Sequence, residues 1–186
     1  MLAYVFWHWK RAHIAPRDYE RCQCAFHEAL VDPPIAGFRH SFSFALTGTP
    51  IPNGPAAGYE DWYVLDDFAA LGEINREAVT RSRTVPHAEA AALAEAGTAG
   101  LYELMRGAIA TTAAHAHWFG KPQGVRYDDF IEELAPLVAA ADGALWMRQM
   151  TFGPAREFCL HARAGVTLPA TLDVVVLPLR TVWPAP

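Results

Sequence analysis

The chain has 186 residues, 52% of them hydrophobic and 19% charged. That balance excludes global disorder and provides for one medium domain or two small fused modules with a sizeable core. The net charge is −5 and the fifteen Lys and Arg are scattered without a basic run, so no nucleic-acid partner is expected, because phosphate binding needs concentrated positive charge.

Residues 3–10 alternate as a strand does. Tyr4, Phe6 and His8 share one face, and Val5, Trp7 and Trp9 share the other. Both faces are bulky, so both are expected to be covered. After a Lys10-Arg11 turn, Pro16 suits the first turn of a helix. Tyr19, Cys22, Phe26 and Leu30 form its apolar stripe, Asp18 and Glu20 sit where the helix dipole favours anions, and Asp32-Pro33-Pro34 ends it. Cys22 and Cys24 would lie about 200° apart on that helix, so they form no ligand face. With Cys159 they make an odd count without a disulfide framework.

Residues 37–46 read as a second strand, with Phe38, His40, Phe42 and Phe44 on one face and Arg39, Ser41 and Ser43 on the other. A connection rich in Gly, Pro and Thr covers 47–58. A third strand spans 59–65, with Trp62 and Val64 opposite Tyr59, Asp61 and Tyr63. Asp66-Asp67 then caps a helix carrying Phe68, Leu71 and Ile74.

Pro86 opens a helical stretch expected over 87–106, with Leu93, Leu101, Leu104 and Met105 on its apolar side. Gly97 and Gly100 weaken it or allow close packing, and Gly107 fits its end. This stretch is the expected hinge between modules at 1–109 and 110–186. Residues 110–119 form a strand ending in His115-Ala116-His117-Trp118-Phe119. A helix follows over 127–141, which Pro136 is expected to kink or shorten. Residues 144–151 and 156–162 form a hairpin, and 172–177 a last strand that Pro178 marks as an edge. No stretch reaches the roughly 18 apolar residues of a membrane helix, and the N-terminus lacks the basic region of a signal peptide. No membrane partner and a reduced, cytoplasmic setting are expected.

Aligned on His8-Trp9 and His117-Trp118, the two modules share an opening of strand, basic turn and helix, with Arg17-Asp18-Tyr19 set against Arg126-Tyr127-Asp128. A β-α-β-β-α-β module is ferredoxin-like, with helices on one sheet face. Two such sheets placed face to face bury the other. This layout resembles the dimeric α+β barrel superfamily, duplicated within one chain. The opening from Phe6 to Phe26, with Lys10-Arg11 and Tyr19-Glu20, is similar in style to the EthD-like and stress-responsive barrel families. The resemblance implies an α+β fold in which two ferredoxin-like repeats close a single-chain barrel of antiparallel sheets with helices outside. Such a chain is a monomeric pseudo-dimer or a homodimer. Those families include cofactor-independent oxygenases, isomerases, cyclases, dehydratases and haem-linked enzymes, so the fold does not choose a chemistry and no particular cofactor follows.

The facing of the first strand decides the site. If Tyr4, Phe6 and His8 point into the barrel, His8 is an acid/base for neutral pH in an aromatic pocket. Tyr4, His40 and Asp61 are then its catalytic partners. Phe6, Phe42, Tyr59, Tyr63 and Trp118 then line the site of a small hydrophobic or aromatic ligand. If Trp7 and Trp9 point inward, His8 lies under a helix and is expected to be structural. His115 and His117 share a strand face and could bind one metal. With His8 across the barrel, and His40 or Asp61 as a fourth ligand, they would make a metal or haem site. His13, His27, His87 and His161 read as turn or helix-end residues. No phosphate loop, nucleophile elbow or His-Glu-x-x-His occurs. Three readings stand: a cofactor-independent enzyme of oxygenase, isomerase or cyclase type using His8, a non-catalytic ligand-binding or structural protein, and a metal or haem protein.

Overall fold

The computed structural model describes residues 1–184. Its strands are β1 (Leu2–Lys10), β2 (Phe38–Thr47), β3 (Ala57–Leu65), β4 (Ala94–Gly107), β5 (His115–Phe119), β6 (Ala144–Arg148), β7 (Phe158–Ala162) and β8 (Val175–Trp183). Four helices lie between them: α1 (Pro16–Ala29), α2 (Phe68–Glu77), α3 (Thr84–Leu93) and α4 (Tyr127–Ala140). Every strand pairing is antiparallel, and the strands close into a barrel in the order β1-β3-β2-β8-β5-β7-β6-β4. The quartets β4-β1-β3-β2 and β8-β5-β7-β6 have the same internal order. The fold is therefore the α+β barrel, with ferredoxin-like strand order in each wall. Among the described residues no helix is long and apolar enough to cross a membrane.

Strand alternation sorts the side chains into an interior and two outer layers. All eight strands supply the interior, which holds Trp7, Phe42, Trp62, Tyr102, Trp118 and Trp146 among small residues such as Ala3, Ala116 and Ala144. Burying a side chain of this size contributes about 1.5–3 kcal/mol. An eight-stranded barrel is just wide enough for such side chains to fill. On one outer wall Leu2, Tyr63 and Leu65 meet Cys22 and Phe26 of α1, Leu30 just after it and Ile74 of α2. On the other, Phe119, Phe158 and Leu160 meet Phe130, Ile131, Leu134 and Val138 of α4. The facing of β1 is thereby settled: Val5 and Trp7 point inward, and Tyr4, Phe6 and His8 point outward under the helices.

Four expectations are corrected. Residues 94–107 are a strand, not the C-terminal part of a helix. Their Ala, Glu and Leu content favours a helix, but pairing with β1 on one side and β6 on the other overrides propensity. The helix that Pro86 was expected to open is only α3, already begun at Thr84. The last strand runs from Val175 to Trp183 and is no edge, because Pro178 sits opposite His115 and the barrel is closed. The strand expected over 110–119 is confined to residues 115–119. Helix α4 continues through Pro136 to Ala140, its buried stripe holding it. Asp67 caps α2 as expected, accepting from the Ala70 N–H at 2.9 Å.

Arg83 anchors the start of α3. It is fully buried, donates from Nε to the Ala29 carbonyl at 3.1 Å and reaches the Pro33 carbonyl, so the end of α1 and the start of α3 are tied together. Gly97 on β4 lets the other side of this wall form. A Cβ there would overlap Phe6 Cζ and lie 3.0 Å from the Trp7 carbonyl oxygen. Gly97→Ala is therefore expected to cost about 1–3 kcal/mol, read as a lower urea midpoint with an unchanged slope.

Candidate functional site between the sheet and helices

A cavity of about 620 Å³ lies outside the barrel, between the wall of β1, β3 and β4 and the three helices α1, α2 and α3. That volume is in the range of small-molecule sites. Its walls are mainly apolar, with Phe6 and Ala96 from the sheet and Phe26, Leu71, Ile74 and Ala90 from the helices. Tyr4, Tyr19, Gln23, Asp61 and Tyr63 supply a polar floor.

That floor is one connected network centred on Asp61. The Asp61 side chain is 1% exposed. Its Oδ2 accepts from the Tyr63 hydroxyl at 3.1 Å and lies 3.0 Å from His8 Nε2 and 3.4 Å from His27 Nε2. The far nitrogen of each ring meets a hydroxyl: His8 Nδ1 is 2.6 Å from Tyr19 Oη, and His27 Nδ1 is 2.7 Å from Ser41 Oγ. A carboxylate facing both Nε2 atoms favours the tautomer protonated there, so each Nδ1 accepts from its hydroxyl. Asp61 Oδ1 has no partner, and neither Nε2 is aligned as a full hydrogen bond. Tyr59 stacks on the His8 ring at 5.5 Å and donates to Glu20 at 3.1 Å.

Helix register explains the network's second side. Tyr19, Gln23 and His27 are at i, i+4 and i+8 on α1, one face over the strands. On β3, Asp61 and Tyr63 alternate onto the same outer face. Burial alone would push the Asp61 carboxyl up, but attraction to the His8 and His27 imidazoles outweighs it and holds the group well below the usual carboxylate range. Burial, then the charges of Asp61 and Tyr59, push the Tyr19 hydroxyl up, with a hydrogen bond from Gln23 opposing. Burial and then Asp61 likewise push Tyr63 up. The resting floor is thus an ionised carboxylate among protonated phenols.

The sequence candidates separate. Tyr4, Phe6, Asp61 and Tyr63 border the cavity, and His8 lies behind the floor against Asp61 and Tyr19. His40 does not join them. It lies two residues before Phe42 on β2, its ring 6.1 Å from that of Phe42, while Ser41 on the opposite face meets His27. Phe42 and Trp118 are packed in the barrel interior and do not line this cavity. His115 and His117 are on the outer face of β5, since Ala116 and Trp118 point inward. Strand β5 lies across the barrel from β1, so the expected convergence of His8 and His117 on one interior site is corrected: both point away from it. Among the described residues no group of three or more His, Cys, Asp and Glu side chains is placed to hold a metal ion.

Two histidines expected at the surface are buried instead. His27 is in the network beside Asp61, and the i+4 and i+8 steps from Tyr19 place it only on the same helix face. His161 is inside the barrel, with Nε2 3.2 Å from Glu60 Oε1, while Trp7 Nε1 donates to Glu60 Oε2 at 3.2 Å. Alternation from Trp62 places Glu60 inside, but nothing in the sequence marks its partner.

No family model matches the chain, and neither does any curated protein sequence. Among solved structures, an anthrone oxidase-like protein superposes with a TM-score of 0.52 at 9% identity, covering 98% of this chain and 93% of its own. A chlorite dismutase-like protein gives a TM-score of 0.48 at 9% identity, covering 98% and 96%. At 9% identity the first of these is a likeness of fold alone.

Because the folded-state value of Asp61 lies below the unfolded value of about 4, its stabilisation is in full force above that pH and is lost as the pH falls below it. Asp61→Asn is expected to cost about 3 kcal/mol near neutral pH. It should also flatten the decline in melting temperature below about pH 4. Urea denaturation at neutral pH and an acid melting series check both, and a variant with the parent's acid profile would remove Asp61 as the cause.

Proposed function

We propose that the cavity binds a small aromatic molecule with a phenolic or enolisable head, and that Tyr19, His8 and Asp61 act on it as a cofactor-independent acid/base relay. The observation that carries this reading is the placement of the Tyr19 hydroxyl. Tyr19 is a buried residue of the cavity lining, and its hydroxyl lies 2.6 Å from His8 Nδ1, whose other nitrogen lies 3.0 Å from a buried, ionised carboxylate. The arrangement follows the logic of a hydroxyl, an imidazole and a carboxylate in sequence. Tyr19 takes a proton from the ligand as its own passes to His8 Nδ1. Asp61, held far too acidic to be the base itself, stays ionised and stabilises the imidazolium. Phe6, Phe26 and Ile74 cover the rings of the ligand.

In this reading His8 keeps the acid/base role, but through Tyr19, which is the group that touches the ligand. The chain also acts as its own pseudo-dimer, with modules at 1–109 and 110–186 each supplying four strands, so a monomer suffices to hold the site. The aromatic ketone named by the anthrone oxidase-like structure is a suitable probe, since its ring methylene is acidified by the carbonyl.

Proton exchange from the anthrone methylene into D2O, followed by NMR, tests the relay. The parent is expected to accelerate exchange over buffer, and Tyr19→Phe to lower that rate by about 10²- to 10⁴-fold while anthrone still binds. Binding with exchange no faster than buffer would leave a ligand-binding protein and end the enzymatic reading.

A further inference from the structure

The cavity is polar at one end and charged at its rim, and the rim narrows the class of ligand. Resting on the reading above, we propose that Arg11 selects aromatic molecules that carry a carboxylate at the end opposite the hydroxyl or enol.

Arg11 follows β1 where the strand leaves the barrel wall, and it lines the cavity together with Glu95. Its guanidinium is tethered: Nε donates to the Ala92 carbonyl at 3.1 Å, and its backbone N–H bonds the Leu93 carbonyl at 2.9 Å. Both acceptors are at the end of α3, so the cavity wall itself sets the direction of the fork. The terminal nitrogens are poorly used. Glu95 Oε2 is 3.9 Å from Nη1, beyond hydrogen-bond reach, and the two side chains are 47% and 57% exposed. A tethered guanidinium with unspent terminal N–H groups matches a carboxylate in two parallel bonds.

The span between the two ends also limits the ligand. Asp61 stands opposite Phe6 in the β1–β3 register. Arg11 is five residues further along the chain, so about 16 Å of backbone at strand rise separates the positions of the two ends. Between them the wall is apolar. A two-ring hydroxy acid meets all three requirements: a donor for the floor, a flat apolar body and an anion for the rim. Glu95 competes for Arg11 and repels that anion.

Calorimetric titration with 2-naphthol and 6-hydroxy-2-naphthoate separates the rim from the rest of the cavity. Both probes present a phenol, and only the second carries a carboxylate. The parent is expected to prefer the naphthoate by about fivefold, the scale of a partly exposed ion pair, and less at high salt. Arg11→Gln should abolish the preference while leaving naphthol affinity within about twofold, and Glu95→Gln should widen it. Naphthol binding with no preference for the naphthoate, or a preference that survives Arg11→Gln, overturns the role of Arg11 and leaves the cavity reading standing. Binding of neither probe to the folded parent overturns both.

Discussion

Closing eight strands into a barrel leaves each strand residue one of two places, inside or outside, and the acidic pair Glu60-Asp61 depends on that division. These neighbours on β3 point to opposite faces, and both are fully buried. Glu60 is met inside by Trp7 and His161, and Asp61 outside by His8, His27 and Tyr63. An unpaired buried carboxylate costs several kcal/mol. A slip of one residue would exchange the two faces and strand both acids among the wrong neighbours. The register of β1 against β3 is therefore set by charge as well as by apolar packing.

The same constraint decides where a ligand can go. Trp7, Trp62, Trp118 and Trp146 fill the interior with mutual ring contacts of 5.2–6.3 Å. The space for a ligand lies instead between the sheet and its helical cover, where α1, α2 and α3 stand off the wall. The floor of that space belongs to the rigid sheet, while Tyr19 comes from α1. The proposed relay thus spans two layers, and its geometry relies on the α1 to α3 contact that Arg83 secures.

Much of this was legible locally. The alternation in 3–10 and 59–65, the α1 stripe from Tyr19 to Leu30, and the Asp67 cap all follow from period and capping chemistry. His8, Asp61, Tyr4 and Tyr63 could be named because polar groups on aromatic strands stand out. The strand at 94–107 was hidden by its helix-forming residues. Its glycines, which looked like helix defects, are where Phe6 and Trp7 cross β4. His27 was hidden because its partner, Asp61, is 34 positions away in the chain.

The sequence by itself determined the fold class, the strand faces as sets, and the aromatic and acidic residues available to a site, since these follow from periodicities within one segment. Only the tertiary structure decided which set faces inward. It also joined Tyr19, His8, Asp61 and His27 into one network, separated His40, His115 and His117 from it, and placed the cavity outside the barrel. Those outcomes depend on which strand lies beside which and on how the helices settle over the closed wall. Such long-range packing leaves no periodic trace in any single stretch of the chain.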